Sequence, residues 1–410
     1  MSILLQTITR SQRLEGNIWK YYCMRVFAKR LVFPILTIFL VRNQLSPSEI
    51  GIVFAIGTLT GLLLEIPSGT IADRIGRKTS LAISFLIQAI SMAILGFSTE
   101  FWGFLLGNAL YYIGTSLMTG THEAFIYETL HELNREKDLK KVVGKALFIS
   151  QIVTGVLFVG VPVLAQYSLS LPFFINTIVF LVTSLLIMSF VEPKQARSVA
   201  KQEAFPGTSA LKNFFANQTL LSFSFSFGVL SSANMILEDF RQMYLDFIHL
   251  DITFFGLVYL TLRFLTGFVG TKVDWLEEKI GKTATLLLLP IISLVTYTGL
   301  VLFDTWFGLL FIALDGVMNG LLRPIEQEHL QRMVHGSKRV TMLSIDNLIE
   351  SLFRAGSTFL GGLVIQKFGI QSGFILSSSI ILFFAIPLLL RFISLNKSLG
   401  TNTNTSPSPA

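Results

Sequence analysis

Asp346, Glu350 and Arg354 recur at four-residue intervals within a mostly apolar stretch, so on a helix their side chains share one face. An ionisable group placed in hydrocarbon costs about 2.5–3.5 kcal/mol on insertion scales, and it is kept where it is paired, wet or functional. The same reasoning selects Arg263 and Asp315 near the middle of their apolar segments, and Lys29 and Arg30 part way into the first. Glu65, Glu123 and Arg323 fall closer to segment ends, where they can gate or couple. Two chemistries fit. One is internal ion pairing, Glu350 with Arg354 and Asp315 with Arg263 or Arg354. The other is proton exchange at one carboxylate, Glu350 or Asp315 by preference, whose proton affinity burial raises and a nearby arginine lowers. Lys29, Arg30, Arg263 and Arg354 slightly outweigh the deep acids, which points to a solute with an anionic group and makes these cations, with Arg323, candidates for substrate contact or ion pairing.

The elements that must hold these residues follow from composition. Of 410 residues, 52% are hydrophobic, 14% are charged and 37 are Phe, with a mean hydropathy of +0.65. A soluble domain carries about 25% charged residues, so this apolar excess must face lipid. The formal charge of +7 then belongs to loops beside anionic headgroups, and no nucleic-acid partner is expected. The single cysteine, Cys23, allows neither an intrachain disulfide nor a cysteine metal site. No metal or cofactor is expected. No G-x-x-x-x-G-K-[ST] phosphate loop occurs, and the five histidines are dispersed, so ATP-driven pumping and enzyme catalysis are both disfavoured and no catalytic residue is assigned. The first residues carry no apolar core followed by a small-residue cleavage site, so no cleaved leader is expected.

With about 20 apolar residues per crossing, the polar breaks give twelve segments: 17–41, 46–72, 78–98, 101–130, 139–167, 170–191, 214–245, 252–274, 282–303, 305–334, 338–367 and 370–394. They lack the alternation of barrel strands and are too long for them, so all are read as helices. Eighteen Lys and Arg fall in the connections on one side, and only Arg42, Lys367 and Arg241, at the end of the seventh segment, on the other. The positive-inside rule places both termini in the cytoplasm. The longest polar interruption, 192–213, divides the chain into an N-terminal bundle (1–191), a cytoplasmic linker and a C-terminal bundle (214–394), with a disordered cytoplasmic tail at 395–410. Gly69-Thr70-Ile71-Ala72-Asp73 recurs as Gly270-Thr271-Lys272-Val273-Asp274, and Gly155 and Gly160 recur as Gly356 and Gly361. A common displacement in equivalent helices indicates a duplicated six-helix unit, the architecture of alternating-access transporters.

The connection after the second segment, Gly69-Thr70-Ile71-Ala72-Asp73-Arg74-Ile75-Gly76-Arg77-Lys78, resembles the loop signature of the major facilitator superfamily, Gly-x-x-x-Asp-Arg-x-Gly-Arg-Lys. Glu65-Ile66-Pro67-Ser68-Gly69 and Gly120-Thr121-His122-Glu123-Ala124-Phe125-Ile126-Tyr127-Glu128 also look like elements of its bacterial members. Gly69 is expected to let a neighbouring helix approach, Gly76 to take a positive φ, and Arg74, Arg77 and Lys78 to hold the loop at the anionic leaflet. The resemblance implies that Asp73 meets the N-terminal end of the eleventh helix, around Ser337 to Val340, and latches the halves together. Two elements depart from the pattern. Leu110 stands where the family usually has an arginine in the fourth helix, and the glycine-proline cluster of the fifth is reduced to Gly155, Gly160 and Pro162.

The expected protein is an all-α integral membrane protein, with twelve transmembrane helices in two pseudo-symmetric six-helix bundles. It is expected in the bacterial inner membrane as a monomer, exporting a small amphipathic compound against protons. Uptake of a small organic anion or sugar with a co-transported ion is the alternative. A transporter-derived receptor that moves nothing is the reading from another class.

Overall fold

The computed structural model describes residues 2–194, 212, 214–334 and 339–402. It is helical, and no strand occurs among the described residues. In chain order the helices are α1 (Ser2–Phe27), α2 (Leu36–Arg42), α3 (Pro47–Ile75), α4 (Arg77–Phe97), α5 (Phe101–Met118), α6 (Thr121–Glu132), α7 (Leu139–Ala165) and α8 (Leu171–Met188). They continue as α9 (Gln218–Phe247), α10 (Phe255–Gly270), α11 (Val273–Ile280), α12 (Lys282–Leu302), α13 (Gly308–Met333), α14 (Arg339–Phe368), α15 (Ile370–Ile380) and α16 (Ile386–Asn402). Among the described residues, ten helices are long and apolar enough to cross a bilayer. α15 and α16 share one of these spans, joined by the π-helical turn Ile381–Ala385.

Two segments expected as continuous spans are broken well inside their length. In the first, α1 ends at Phe27 and a 3-10 turn at Phe33–Ile35 leads into α2. Pro34 explains the break: its ring conflicts with the carbonyl four residues earlier, that of Arg30, and it brings no N–H of its own. The freed backbone groups find other partners, as they must at membrane depth. The Arg30 carbonyl accepts from the Phe33 N–H at 3.1 Å, and the Leu31 N–H donates to the Asn176 side chain of α8 at 2.9 Å. The second break separates α5 from α6 at Gly120, whose φ of +75° leaves the helical region.

The chain forms two compact units, one of Met1–Leu45, Ile56–Ala204 and Asp251–Leu257, the other of Ser46–Ala55, Phe205–Leu250 and Val258–Ala410. In the first, α4 packs closely on α5 and α8, and hydroxyls tie the helices together: Ser91 donates to the Gly107 carbonyl at 2.6 Å and Ser184 to that of Ala82 at 2.8 Å. Phe39, Phe104 and Phe173 are buried and meet ring to ring. In the second, α9 runs through the core against α14, α15 and α16. Small residues allow backbones to approach: a Cβ on Gly51 would meet the Thr358 carbonyl at 2.9 Å, and one on Gly320 the Thr266 carbonyl at 2.8 Å.

Several expectations are corrected. Gly69 supports no close approach, since a Cβ there would meet nothing within 4 Å. Helix α16 continues to Asn402, so residues 395–402 of the expected disordered tail are helical. Although the apolar excess is read as facing lipid, Phe223 and Phe227 are buried and stacked at 4.4 Å, because α9 is enclosed on nearly every side. Ser337 and Lys338, half of the expected Asp73 partner region, lie outside the described residues.

Candidate functional site: buried charge clusters in each unit

In the second unit, α9 brings Arg241 to Asp315 of α13. The Arg241 guanidinium donates through Nη2 to Asp315 Oδ2 at 2.6 Å, and the two side chains are 4% and 3% exposed. Arg241 also lies over the Tyr259 ring at 5.4 Å, and Gln242 donates to the Tyr259 hydroxyl at 3.0 Å. The expected partners of Asp315, Arg263 and Arg354, are not those it takes. The sequence reading counted Arg241, at the end of the seventh segment, with the charges of the outer side, whereas the 30-residue helix carries it inside. Close by, the Tyr297 hydroxyl donates to Asn234, and Asp239 accepts from Thr358 at 2.7 Å.

The second cluster centres on Glu350. Arg323 donates to both of its carboxylate oxygens, from Nη2 at 2.7 Å and Nη1 at 3.1 Å, a two-pronged geometry that fixes both planes. Ser231 donates to the same carboxylate at 2.6 Å. Arg354, the expected intrahelical partner, stays at 3.9 Å and directs Nε and Nη2 to the Met235 sulfur. Arg323 also reaches Glu326 at 2.9 Å. Asp346 is buried on the same helix. Four-residue spacing placed Asp346, Glu350 and Arg354 on one face; it could not show that Glu350 answers to a neighbouring helix.

In the first unit the break before Pro34 holds Arg30, 8% exposed, with Nη1 donating to Asn108 Oδ1 at 2.9 Å and the guanidinium carbon 4.4 Å from the Tyr111 ring centroid. Among the described residues its Nε and Nη2 have no hydrogen-bond partner. A cation–π contact is worth about 2 kcal/mol when desolvated, while burying an ion costs several, so the ring alone does not offset this burial. Arg25 lies 2.6 Å from His122 Nε2, and Lys20 donates to the Ser189 carbonyl at 2.7 Å. Glu65 and Glu123 are exposed and take no part in either buried cluster of carboxylates.

The loop signature forms a third set. Gly76 has φ +93° and starts α4. The first two N–H groups of α4, those of Arg77 and Lys78, donate to the Glu192 carboxylate at 2.7 and 3.0 Å, filling donors that a helix start leaves open. The Arg77 side chain bridges Asp73 at 2.7 Å and Glu128 at 3.5 Å. Arg74 is exposed. Beyond the bilayer segments, Arg10 donates to both oxygens of Glu132 and to the Glu192 carbonyl, and the Lys194 N–H donates to Glu132 at 2.8 Å. The Arg10 hydrogen bond holds the Glu132 carboxyl below its usual pKa, against a smaller opposing effect of burial. Sequence reasoning missed Arg10, Glu132, Glu192, Asn108 and Asn176. A lone Asn within an apolar run is the signal that Asn108 and Asn176 offered.

An enclosed Arg241–Asp315 pair, a span broken around a buried arginine and ten helices long and apolar enough to cross a bilayer describe a polytopic membrane protein. The chain belongs to the Major Facilitator Superfamily, whose family profile matches residues 21–303. It is 21% identical over 382 residues to the uncharacterized MFS-type transporter YxaM of Bacillus subtilis (strain 168), covering 91% of this chain and 94% of that one. It is 26% identical over 215 residues to the inner membrane transport protein YajR of Escherichia coli (strain K12), covering 52% and 46%. Among solved structures it is similar to the nucleoside transporter NupG, with a TM-score of 0.77 at 14% identity over 94% of this chain and 99% of that one. It is also similar to a bacterial homolog of the human lysosomal transporter Spinster in an inward-facing and unoccupied conformation, with a TM-score of 0.71 at 16% identity over 98% and 99%. The structural likenesses at these identities are likenesses of fold. The chain is a membrane-embedded transporter of this superfamily.

Proposed function

We propose that the transporter exports a small amphipathic solute in exchange for protons, alternating between openings to the two sides of the bacterial inner membrane. It acts as a monomer of two six-helix bundles, 1–191 and 214–394, with both termini cytoplasmic. The observation that carries this reading is that the buried carboxylates Asp315 and Glu350 each meet a close arginine from another helix. A proton on Asp315 removes the charge that Arg241 sits against and leaves an uncompensated buried cation that solvent or solute must stabilise, while a proton on Glu350 leaves Arg323 with Glu326 alone. Proton binding and solute binding are therefore linked through the same pair, which is what coupling requires. The rim loop with Gly69, Asp73, Arg74, Gly76, Arg77 and Lys78 supplies the gate, and its resemblance to the family signature supports export as the direction.

The test is flux into and out of proteoliposomes under an imposed pH gradient, with a mixed panel of solutes, for the wild type, Asp315→Asn and Glu350→Gln. Gradient-driven export is expected in the wild type, and at least one neutral variant should lose it while retaining exchange of solute for solute. Full gradient-driven flux in both variants overturns the coupling assignment. Accumulation along an inward proton gradient selects uptake instead, and no movement of any solute selects a receptor.

A further inference from the structure

We infer that Arg30 receives a carboxylate group of the transported solute, so that the substrate class is an amphipathic organic carboxylate; this rests on the reading of the chain as a solute carrier. Pro34 forces the first span open four residues after Arg30, and the Asn176 side chain and the Phe33 N–H satisfy the opened backbone. The break is thus a maintained feature of the unit that sets one side chain in the interior. The guanidinium plane is fixed twice, by the bond from Nη1 to Asn108 at 2.9 Å and by the Tyr111 ring at 4.4 Å. Gly57 helps to make the socket, because a Cβ there would overlap Asn108 and Tyr112.

What stays unpaired is specific. Nε and Nη2 are buried without a hydrogen-bond partner, and these two atoms form one edge of the guanidinium, with parallel N–H groups spaced to match the two oxygens of a carboxylate. No Asp or Glu pairs with Arg30 among the described residues, whereas Arg241 and Arg323 in the second unit each hold a carboxylate of the chain. The cation is therefore oriented toward an acceptor that the described residues do not supply. Tyr111 beside the fork favours a solute whose remaining part is apolar or aromatic.

The test uses thermal unfolding of the purified full chain in detergent, without a gradient, so its outcome is independent of proton coupling. The probes are hexanoate, benzoate and naphthoate, each against its primary amide, with phenylphosphonate as a second anion. The wild type should be stabilised by at least one carboxylate over its amide and over phenylphosphonate. Arg30→Met should abolish that gain, and Arg30→Lys, a point charge in place of a fork, should weaken binding about tenfold. Without a probe, Arg30→Met should melt at or above the wild-type temperature, since it removes an uncompensated buried cation. A lower melting temperature for both variants, with the carboxylate gain intact in either, marks a structural arginine and overturns the assignment. So does an equal response to carboxylates and amides, or a stronger one to phenylphosphonate. If the flux experiment fails while the carboxylate preference stands, the coupling reading falls and the binding assignment does not.

Discussion

At the residue scale, the carboxylates were legible and their partners were not. Asp315 and Glu350 stand out because charge in an apolar run is expensive, which needs no knowledge of the fold. Which arginine meets each one depends on the rotation of neighbouring helices, and no spacing along the chain encodes that. Arg241 was obscured further: three residues beyond Glu238 and two beyond Asp239, it reads as the polar end of a span, yet α9 carries all of them within its 30 residues. The Arg241–Asp315 pair yields a prediction in which the sign of the interaction decides. Removing one member leaves the other charge buried and unanswered, at a cost of about 3–5 kcal/mol, whereas removing both leaves only neutral groups. Arg241→Gln and Asp315→Asn should each lower the melting temperature in detergent, and the double variant should recover a large part of the loss. Additive losses would show that the two side chains act independently.

At the scale of elements, prolines and glycines marked candidate interruptions without ranking them. Pro67, Pro162, Pro290 and Pro324 all lie inside continuous helices, whereas before Pro34, which lies inside an expected span, the chain departs from helix for several residues. Membrane helices tolerate proline when neighbours satisfy the freed groups, so the outcome is decided by side chains such as Asn176 on a different helix. The ends of elements were equally hidden. Arg10 of α1, Glu132 of α6 and the chain leaving α8 at Glu192 to Lys194 are tied together, although they are far apart in sequence. Glu132 is depressed by the Arg10 hydrogen bond. A carboxyl held low binds fewer protons when folded than when unfolded, so its contribution to stability is present above the unfolded pKa and disappears as pH falls through the folded one. Glu132→Gln should therefore melt a few degrees below the wild type at neutral pH, and the difference should close on acidification below about pH 4. A gap that stays constant through that range would assign the loss to packing.

For the whole molecule, duplication can be read in backbone conformation as well as in residue types. Gly76 and Gly281, 205 residues apart, both have positive φ and both start a helix. Gly51 and Gly256 share that displacement, and each lies against a backbone carbonyl, of Thr358 and Phe158 respectively. Matching constraints at matching places are what copying one six-helix plan leaves behind. The same plan fixes topology, because a repeat with an even number of spans keeps both copies in one orientation, and the enclosure of Arg241 removes one of the three charges counted against it. Arg42 and Lys367 then stand alone against the basic connections. On a Cys23→Ser background, Lys137→Cys between α6 and α7 should resist a membrane-impermeant maleimide in intact cells and react once they are opened. Ser168→Cys, in the exposed connection between α7 and α8, should react in both. Equal reactivity of the two positions in intact cells would place an even number of crossings between them, and the twelve-span topology with its cytoplasmic termini would fall together.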